Sequence, residues 1–390
     1  MTRGAPGRHD PSADAPGTRD GHANATDACA GGGVVAVDCN GADLGPAEVA
    51  AGAALAAREG ARTILFGPAG ELRAALQGEG GDAIEIVDAP VSIAKSVDPA
   101  SAARAHPDAS IVQAARTVAE GRAQALVCAG GTGAALAAGL FNIKRARGIH
   151  RPALALPLPV PDRPVTLLDV GANAQARDEH LEQFAFMGAA LARTVLGIER
   201  VRVGLLSNGE EAERGSPLVV ETHARLAALD RASGPGDADG AAFEFVGNVE
   251  GGDVVSGVAD VIVTDGFTGN VALKLMEGVS QTMLKAIRDA AMSSTRAKLG
   301  GTLLAPALRG FRDEIDPEAQ GGAYLLGLRR LGVVPHGGFS RRGFARAILR
   351  ARRGAQGDLI GRTHAALAQA GALRGAPLSA SSASLPSNDA

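Results

Sequence analysis

Tryptophan is missing from this 390-residue chain, which has a single tyrosine and ten phenylalanines. So little aromatic surface gives bases few planes to stack on. With 39 Lys+Arg against 42 Asp+Glu, the net charge of -3 provides none of the cationic excess that polyanions attract. No nucleic-acid partner is expected. Cysteine is scarce too: Cys29, Cys39 and Cys128 are too few and too scattered for a disulfide framework or for the short paired spacings of a zinc site, so a reducing compartment and no metal are expected. No stretch approaches the roughly 20 apolar residues that cross a bilayer, and the N-terminus lacks a hydrophobic signal region. These absences read together as a cytoplasmic protein.

What is present is core. Hydrophobic residues make up 46% of the chain, enough for one large or two fused α/β domains. Residues 1–33 and the tail from about Gly371 to Ala390 have few large apolar side chains, so they cannot offset the entropy of ordering and are expected to be disordered. The polar run Arg231 to Gly240 reads as a surface loop. Between the tails, apolar runs such as "VVAVDC", "TILFG", "IEIVD", "ALVCAG" and "VIVTDG" alternate with helical patterns. This alternation predicts α/β architecture, a mostly parallel sheet with flanking helices, over residues 34–370. A helix from about Thr268 repeats apolar residues at Met276, Val279, Met283 and Ile287, a stripe expected to pack in the core.

The stretch "QALVCAGGTGAALAAGLF" reads as strand, glycines, helix. Gly131 and Gly133 match the first two glycines of a dinucleotide fingerprint, but Leu136 stands at the third. The next acid, Asp162, is too distant to hold a ribose, so no nicotinamide cofactor is expected. A bare backbone ahead of a helix N-terminus still suits a small anion. Comparable loops follow five other strands, and six loops at the strand C-ends of one sheet are expected to face a common crevice.

The motifs "VAVDCNGADLGP", "DVGANAQARDEHLEQFAFMG", "FVGNVEGGD", "DGFTGNVALKLMEG", "GGAYLLGL" and "HGGFS" resemble, in order and spacing, the PlsX family of phosphate acyltransferases over roughly residues 34–350. The resemblance implies a fold like those of isopropylmalate dehydrogenase and phosphotransacetylase. It also implies transfer of a fatty acyl chain from acyl carrier protein to inorganic phosphate, giving acyl phosphate for phospholipid synthesis. A homodimer and peripheral contact with the membrane are further implications. The sequence departs from the family in its loops: Gln175 and Arg177 stand where an acid and a lysine are expected after "GAN". A paralogue with another acyl donor or acceptor, or a non-catalytic carrier-binding scaffold, fits the same motifs.

Phosphate is already ionised near neutral pH, so the chemistry needs no nucleophile-generating triad. It needs an anion cradle and donors for the tetrahedral oxyanion. Gly131, Thr132 and Gly133 are the expected cradle, with Arg177 and Asn270 as further phosphate or acyl ligands. Asn173, Lys274 and His336 are the catalytic candidates, although the two asparagines equally suit helix caps and His336 a turn. Lys144, Arg145, Arg147 and Arg151, at the end of the helix begun by the glycines, suit an acidic carrier protein or simply the helix dipole. A helical hairpin at about 270–318 is expected to present the apolar run Lys298–Phe311 to the membrane. The basic helix "SRRGFARAILRARR" is expected to be a solvated outer helix that could also meet anionic lipid.

Overall fold

Valine, isoleucine and leucine at successive positions, with no polar alternation, suit strands covered on both faces. The described residues form eleven of them in one sheet. The structure, a computed structural model, describes Met1 and residues 33–160, 164–233, 242–314 and 316–375, apart from the side chains of 231–233 and 305–314. Residues 2–32 of the expected N-terminal arm and most of the expected tail lie outside the described residues, as do residues 234–240 of the polar loop.

The strands are β1 Val34–Asp38, β2 Arg62–Gly67, β3 Ile84–Asp88, β4 Ala125–Cys128, β5 Ala153–Leu158, β6 Val165–Leu168, β7 Arg202–Leu206, β8 Glu244–Val249, β9 Val261–Val263, β10 Ala323–Leu326 and β11 Leu331–Val334. The helices are α1 Pro46–Arg58, α2 Ala69–Leu76, α3 Pro99–Ala105, α4 Ser110–Ala119, α5 Thr132–Ala138, α6 Asp178–Leu191, α7 Pro217–Ser233, α8 Gly266–Met292, α9 Thr295–Glu314, α10 Arg341–Gln356 and α11 Leu359–Gln369. Successive strand residues point to opposite faces, so Val35 and Val37 join one core with α1, α6 and α10. Ala36 joins the other, with α4 and α5.

Strand order is β3-β2-β1-β4-β11-β10-β5-β6-β9-β7-β8. The first five are mutually parallel, and so are the last four. Between them lie three antiparallel pairings in succession, β11 with β10, β10 with β5, and β5 with β6. An odd number of reversals makes the two parallel blocks run in opposite senses. The expected common crevice is therefore not formed by this sheet: the loops after β1 and β4 leave one edge, and those after β6, β7, β8 and β9 leave the other. Strand β5, six residues long, crosses from edge to edge, a span of roughly 20 Å.

Two further expectations change. Of the stripe on α8, Met276 packs against the core, but Val279, Met283 and Ile287 are each half exposed, because α8 and α9 pair as a hairpin whose outer face the sheet does not reach. The turn of this hairpin falls at Ser293 and Ser294, so the apolar run from Lys298 lies inside α9 and not at the tip. The basic helix α10 buries Phe344, Ala347, Ile348 and Ala351 against the core shared with α1, which removes its apolar face from any lipid. None of the described helices is long and apolar enough to cross a membrane.

Candidate functional site

At the first edge, Asp38 ends β1 and is buried. It accepts from Ser110 Oγ at 2.6 Å, from Cys128 Sγ at 3.4 Å and from the Asn40 amide at 3.2 Å. Burial pushes its carboxyl above the ordinary carboxylate range, and the Ser110 hydroxyl only partly offsets this. The glycines expected to form a cradle lie here, with another part of the chain packed close against Gly131 and Gly133. A Cβ on Gly131 would stand 2.8 Å from the Ala94 carbonyl oxygen, and one on Gly133 would stand 2.9 Å from the Pro99 ring. Their bare backbone admits the loop leading into α3. Thr132 and Gly133 remain exposed, and His336 lies at the same edge, its Nδ1 accepting from the Gly338 amide at 3.1 Å.

At the opposite edge the loop after β6 is built around Asp169. This fully buried carboxylate accepts from the amides of Leu154, Gly171, Ala172 and Asn173 and from Asn173 Nδ2, at 2.8–3.1 Å. The second hydrogen of Asn173 Nδ2 goes to the Pro152 carbonyl at 2.7 Å. Asn173 therefore holds the loop together with both of its donors and has none left for an oxyanion, which corrects its expected catalytic role. Helix α8 begins directly on this loop. Asp265 caps it by accepting from Phe267 and Thr268 amides, and the Gly266 amide donates to Asn173 O. Asn270, one turn on, faces Gly171, while Lys274 pairs with Glu277 at 2.7 Å on the exposed side.

Arg177 precedes α6 and is 76% exposed. Beside it lies an open cavity of about 480 Å³ whose walls carry Arg145, Arg151, Arg177 and Arg374 with His150, Glu179 and His180. Four guanidiniums against one carboxylate make it strongly electropositive. Glu179 Oε1 sits among Arg177 Nη1 at 3.7 Å, His150 Nδ1 at 3.6 Å and His180 Nε2 at 3.9 Å. His180 Nδ1 accepts from the Arg177 amide at 3.2 Å, so its neutral ring carries the proton on Nε2, on the side of Glu179. Burial lowers the pKa of both histidines, and nearby arginines lower it further against the pull of Glu179. Both rings are thus held neutral, able to donate one hydrogen bond without adding charge.

The candidates accordingly divide. Gly131, Thr132, Gly133 and His336 lie at one edge; Asn173, Arg177, Asn270, Lys274 and the basic cluster Lys144, Arg145, Arg147 and Arg151 lie at the other. Helix α5 carries the chain between them, so glycines and basic cluster are sequence neighbours at opposite ends of one helix. His150, Glu179, His180 and Arg374 were not among the expected site residues. Glu179 and His180 stand inside "DVGANAQARDEHLEQFAFMG", two and three positions after Arg177, a spacing that signals their presence in the same helix turn. Arg374 gives no sequence signal, because it falls in the segment composition assigns to the tail.

A family model described as "Fatty acid synthesis protein" matches residues 34–362. A phosphate acyltransferase of Heliobacterium modesticaldum is 42% identical over 330 residues, covering 84% of this chain and 95% of its own. One from Geobacillus thermodenitrificans is 40% identical over 336 residues, covering 85% and 98%. Among solved structures, the EutD phosphotransacetylase from Staphylococcus aureus superposes with a TM-score of 0.53 at 17% identity, covering 83% of this chain and 94% of the other. That likeness is one of fold.

Proposed function

Because this chain belongs to the fatty acid synthesis protein family, whose 40%-identical relatives are phosphate acyltransferases, we propose that it transfers a fatty acyl group to inorganic phosphate at the cavity beside Arg177. The observation that carries the placement is the cavity itself, where guanidiniums from separate segments converge with a single carboxylate among them. Phosphate is a substrate that arrives charged. Arg177 and Arg151 fix it, offsetting the charge that otherwise repels it from Glu179. A phosphate oxygen attacks the thioester carbonyl, the C–S bond breaks, and the electron pair leaves with the thiolate. The protein supplies position and fixed donors, among them the Nε2–H of a neutral His180.

The acyl donor in this reading is acyl carrier protein, and the acyl phosphate serves phospholipid synthesis. Lys144, Arg145, Arg147 and Arg151 support this donor, since all four are exposed, Lys144, Arg145 and Arg151 border the cavity or the one adjoining it, and carriers of this kind are acidic. The test is product analysis. Incubated with phosphate and an acyl-carrier thioester, the protein should form acyl phosphate, trapped as a hydroxamate and identified by mass spectrometry. Arg177→Ala should lower kcat/KM about tenfold, ~1.4 kcal/mol, and Arg177→Lys should recover much of it. If Arg177→Ala turns over like the parent, the reaction takes place elsewhere.

Homodimer formation and membrane contact complete the reading, and both rest on the hairpin. Phe267, Val271, Leu275, Val279, Met283 and Ile287 fall four residues apart on α8 and are all at least half exposed, a continuous apolar ridge that a second copy would cover. Leu299, Leu303 and Leu304 leave α9 with a second exposed patch for the bilayer surface. Paired variants separate the two. Leu275→Glu with Val279→Glu should sediment as a monomer, whereas Leu303→Glu with Leu304→Glu should stay dimeric and lose liposomes of anionic lipid. A dimer that survives the first pair, or liposome binding that survives the second, removes the corresponding part.

A further inference from the structure

Residues 363–375 lie beyond the 34–362 stretch that matches the family, and the last of them return to the cavity. We propose that Arg374 closes the cavity over a phosphoryl oxyanion, which makes the segment after α11 part of the substrate site in this chain. The proposal rests on reading the cavity as the place of acyl transfer.

The segment is anchored. The Arg374 amide donates to Gly148 O at 2.8 Å, and the fully buried side chain of Gln183 in α6 donates to Ala372 O at 2.7 Å and to Gly148 O at 2.9 Å. Leu373 packs over Gly148, leaving too little room for a side chain there. These contacts on residues 372–374 therefore set where the Arg374 side chain starts. Its guanidinium forms no ion pair among the described residues, and it borders both the 480 Å³ cavity and an adjoining one of about 340 Å³ shared with Lys144 and Arg145. Four arginines around a single carboxylate leave the cavity with an excess of positive charge that an anion joining them would offset.

A cation is the competing occupant, since ligand atoms of His150, Glu179 and His180 lie within 4.8 Å of one another. Two features oppose it. The four guanidiniums repel a metal ion, and a metal at His180 Nε2 would force the proton to Nδ1, which already faces the Arg177 amide. A phosphoryl group meets neither obstacle. It can be free inorganic phosphate or the phosphodiester of a carrier's pantetheine arm entering through the adjoining cavity.

The test compares full-length wild type with Arg374→Ala and Arg374→Lys. Because the segment is held by backbone groups and the side chain is exposed, both variants should keep the parent's unfolding curve. Binding of inorganic phosphate alone is measured by calorimetry, and KM is measured separately for phosphate and for acyl-carrier thioester. Arg374→Ala should weaken phosphate binding and raise the phosphate KM about tenfold, with partial recovery in Arg374→Lys. A rise confined to the carrier KM supports the same pocket with the pantetheine phosphodiester as its anion. Unchanged values for both substrates, or binding of zinc without any binding of phosphate, would overturn the proposal. Phosphate binding that depends on Arg374 in a protein that forms no acyl phosphate would sustain the pocket and refute the acyl-transfer reading.

Discussion

Asn173→Asp should cost the fold about 3–5 kcal/mol at neutral pH, the penalty of an uncompensated buried charge. The Asn173 side chain donates at 2.8 Å to Asp169 Oδ2 and at 2.7 Å to the Pro152 carbonyl, so the new carboxylate would face an oxygen on both sides. Burial already raises the Asp169 carboxyl, against the amides of Ala172 and Leu154 and the Asn173 side chain that pull it down. Two carboxyls at this separation cannot both ionise, so in the variant one keeps its proton and its folded-state pKa rises. Such a group lends stability below its unfolded pKa and withdraws it as pH climbs through the folded value. Urea unfolding should therefore show the variant closest to the parent near pH 4 and furthest from it at pH 8. A deficit independent of pH would mean that Asp169 is not the partner that matters.

Gly269→Ala should be nearly as damaging, at about 3 kcal/mol, although it adds a single methyl group. That methyl would lie 2.0 Å from the Asp169 carbonyl oxygen, and it has nowhere to move because both sides are backbone. Helix α8 would have to lift off the loop, taking with it the Gly266 amide that donates to Asn173 O. The expected readouts are a lower urea midpoint and a rise in the phosphate KM, since the same loop leads into Arg177. A variant with the parent's midpoint would show that α8 and the loop do not touch as closely as described. Gly278, on the same helix with open space around it, is the control: alanine there should be neutral or mildly stabilising.

Much of the fold could be read from the sequence because apolar runs and helical periodicity are local signals. Nine strands stand out as Val-, Ile- and Leu-rich segments. The two that do not, "AYLL" and "LGVV", are four residues each and draw their stability from partners far away in the chain. The reversal itself falls between two strands that do stand out, since β10 is antiparallel to both its neighbours and its two reversals cancel, leaving the β5–β6 pair to set the two blocks in opposite senses. A run of apolar residues does not carry its direction, which is why the strands looked as if they would end at one crevice. The stripe on α8 was legible as a stripe, but periodicity does not say whether the body of the protein reaches it. Asn173 and the glycines of the opening stretch lay inside recognisable motifs, yet their donors and bare backbone proved to serve the chain's own packing. Composition hid Arg374, since glycine and alanine around it conceal an anchor made by backbone groups and a distant glutamine.

The place of β10 and β11 in the strand order bears on how the chain is made. They sit at the centre of the sheet, between β4 and β5, yet come last of all the strands in the sequence. During synthesis, nine strands emerge while β4 and β5 each have an edge with nothing to pair with, and both edges stay open until residues 323–334 have left the ribosome. Unpaired edges are where foreign strands add, so nascent chains stalled before that point should be the ones that chaperones hold and that aggregate. Completing the sheet also means closing contacts across some 200 residues, from Val127 to Val333, which places this protein among slow folders. The last hairpin acts as a keystone, and a truncation that removes it should yield two half-sheets with no seam between them.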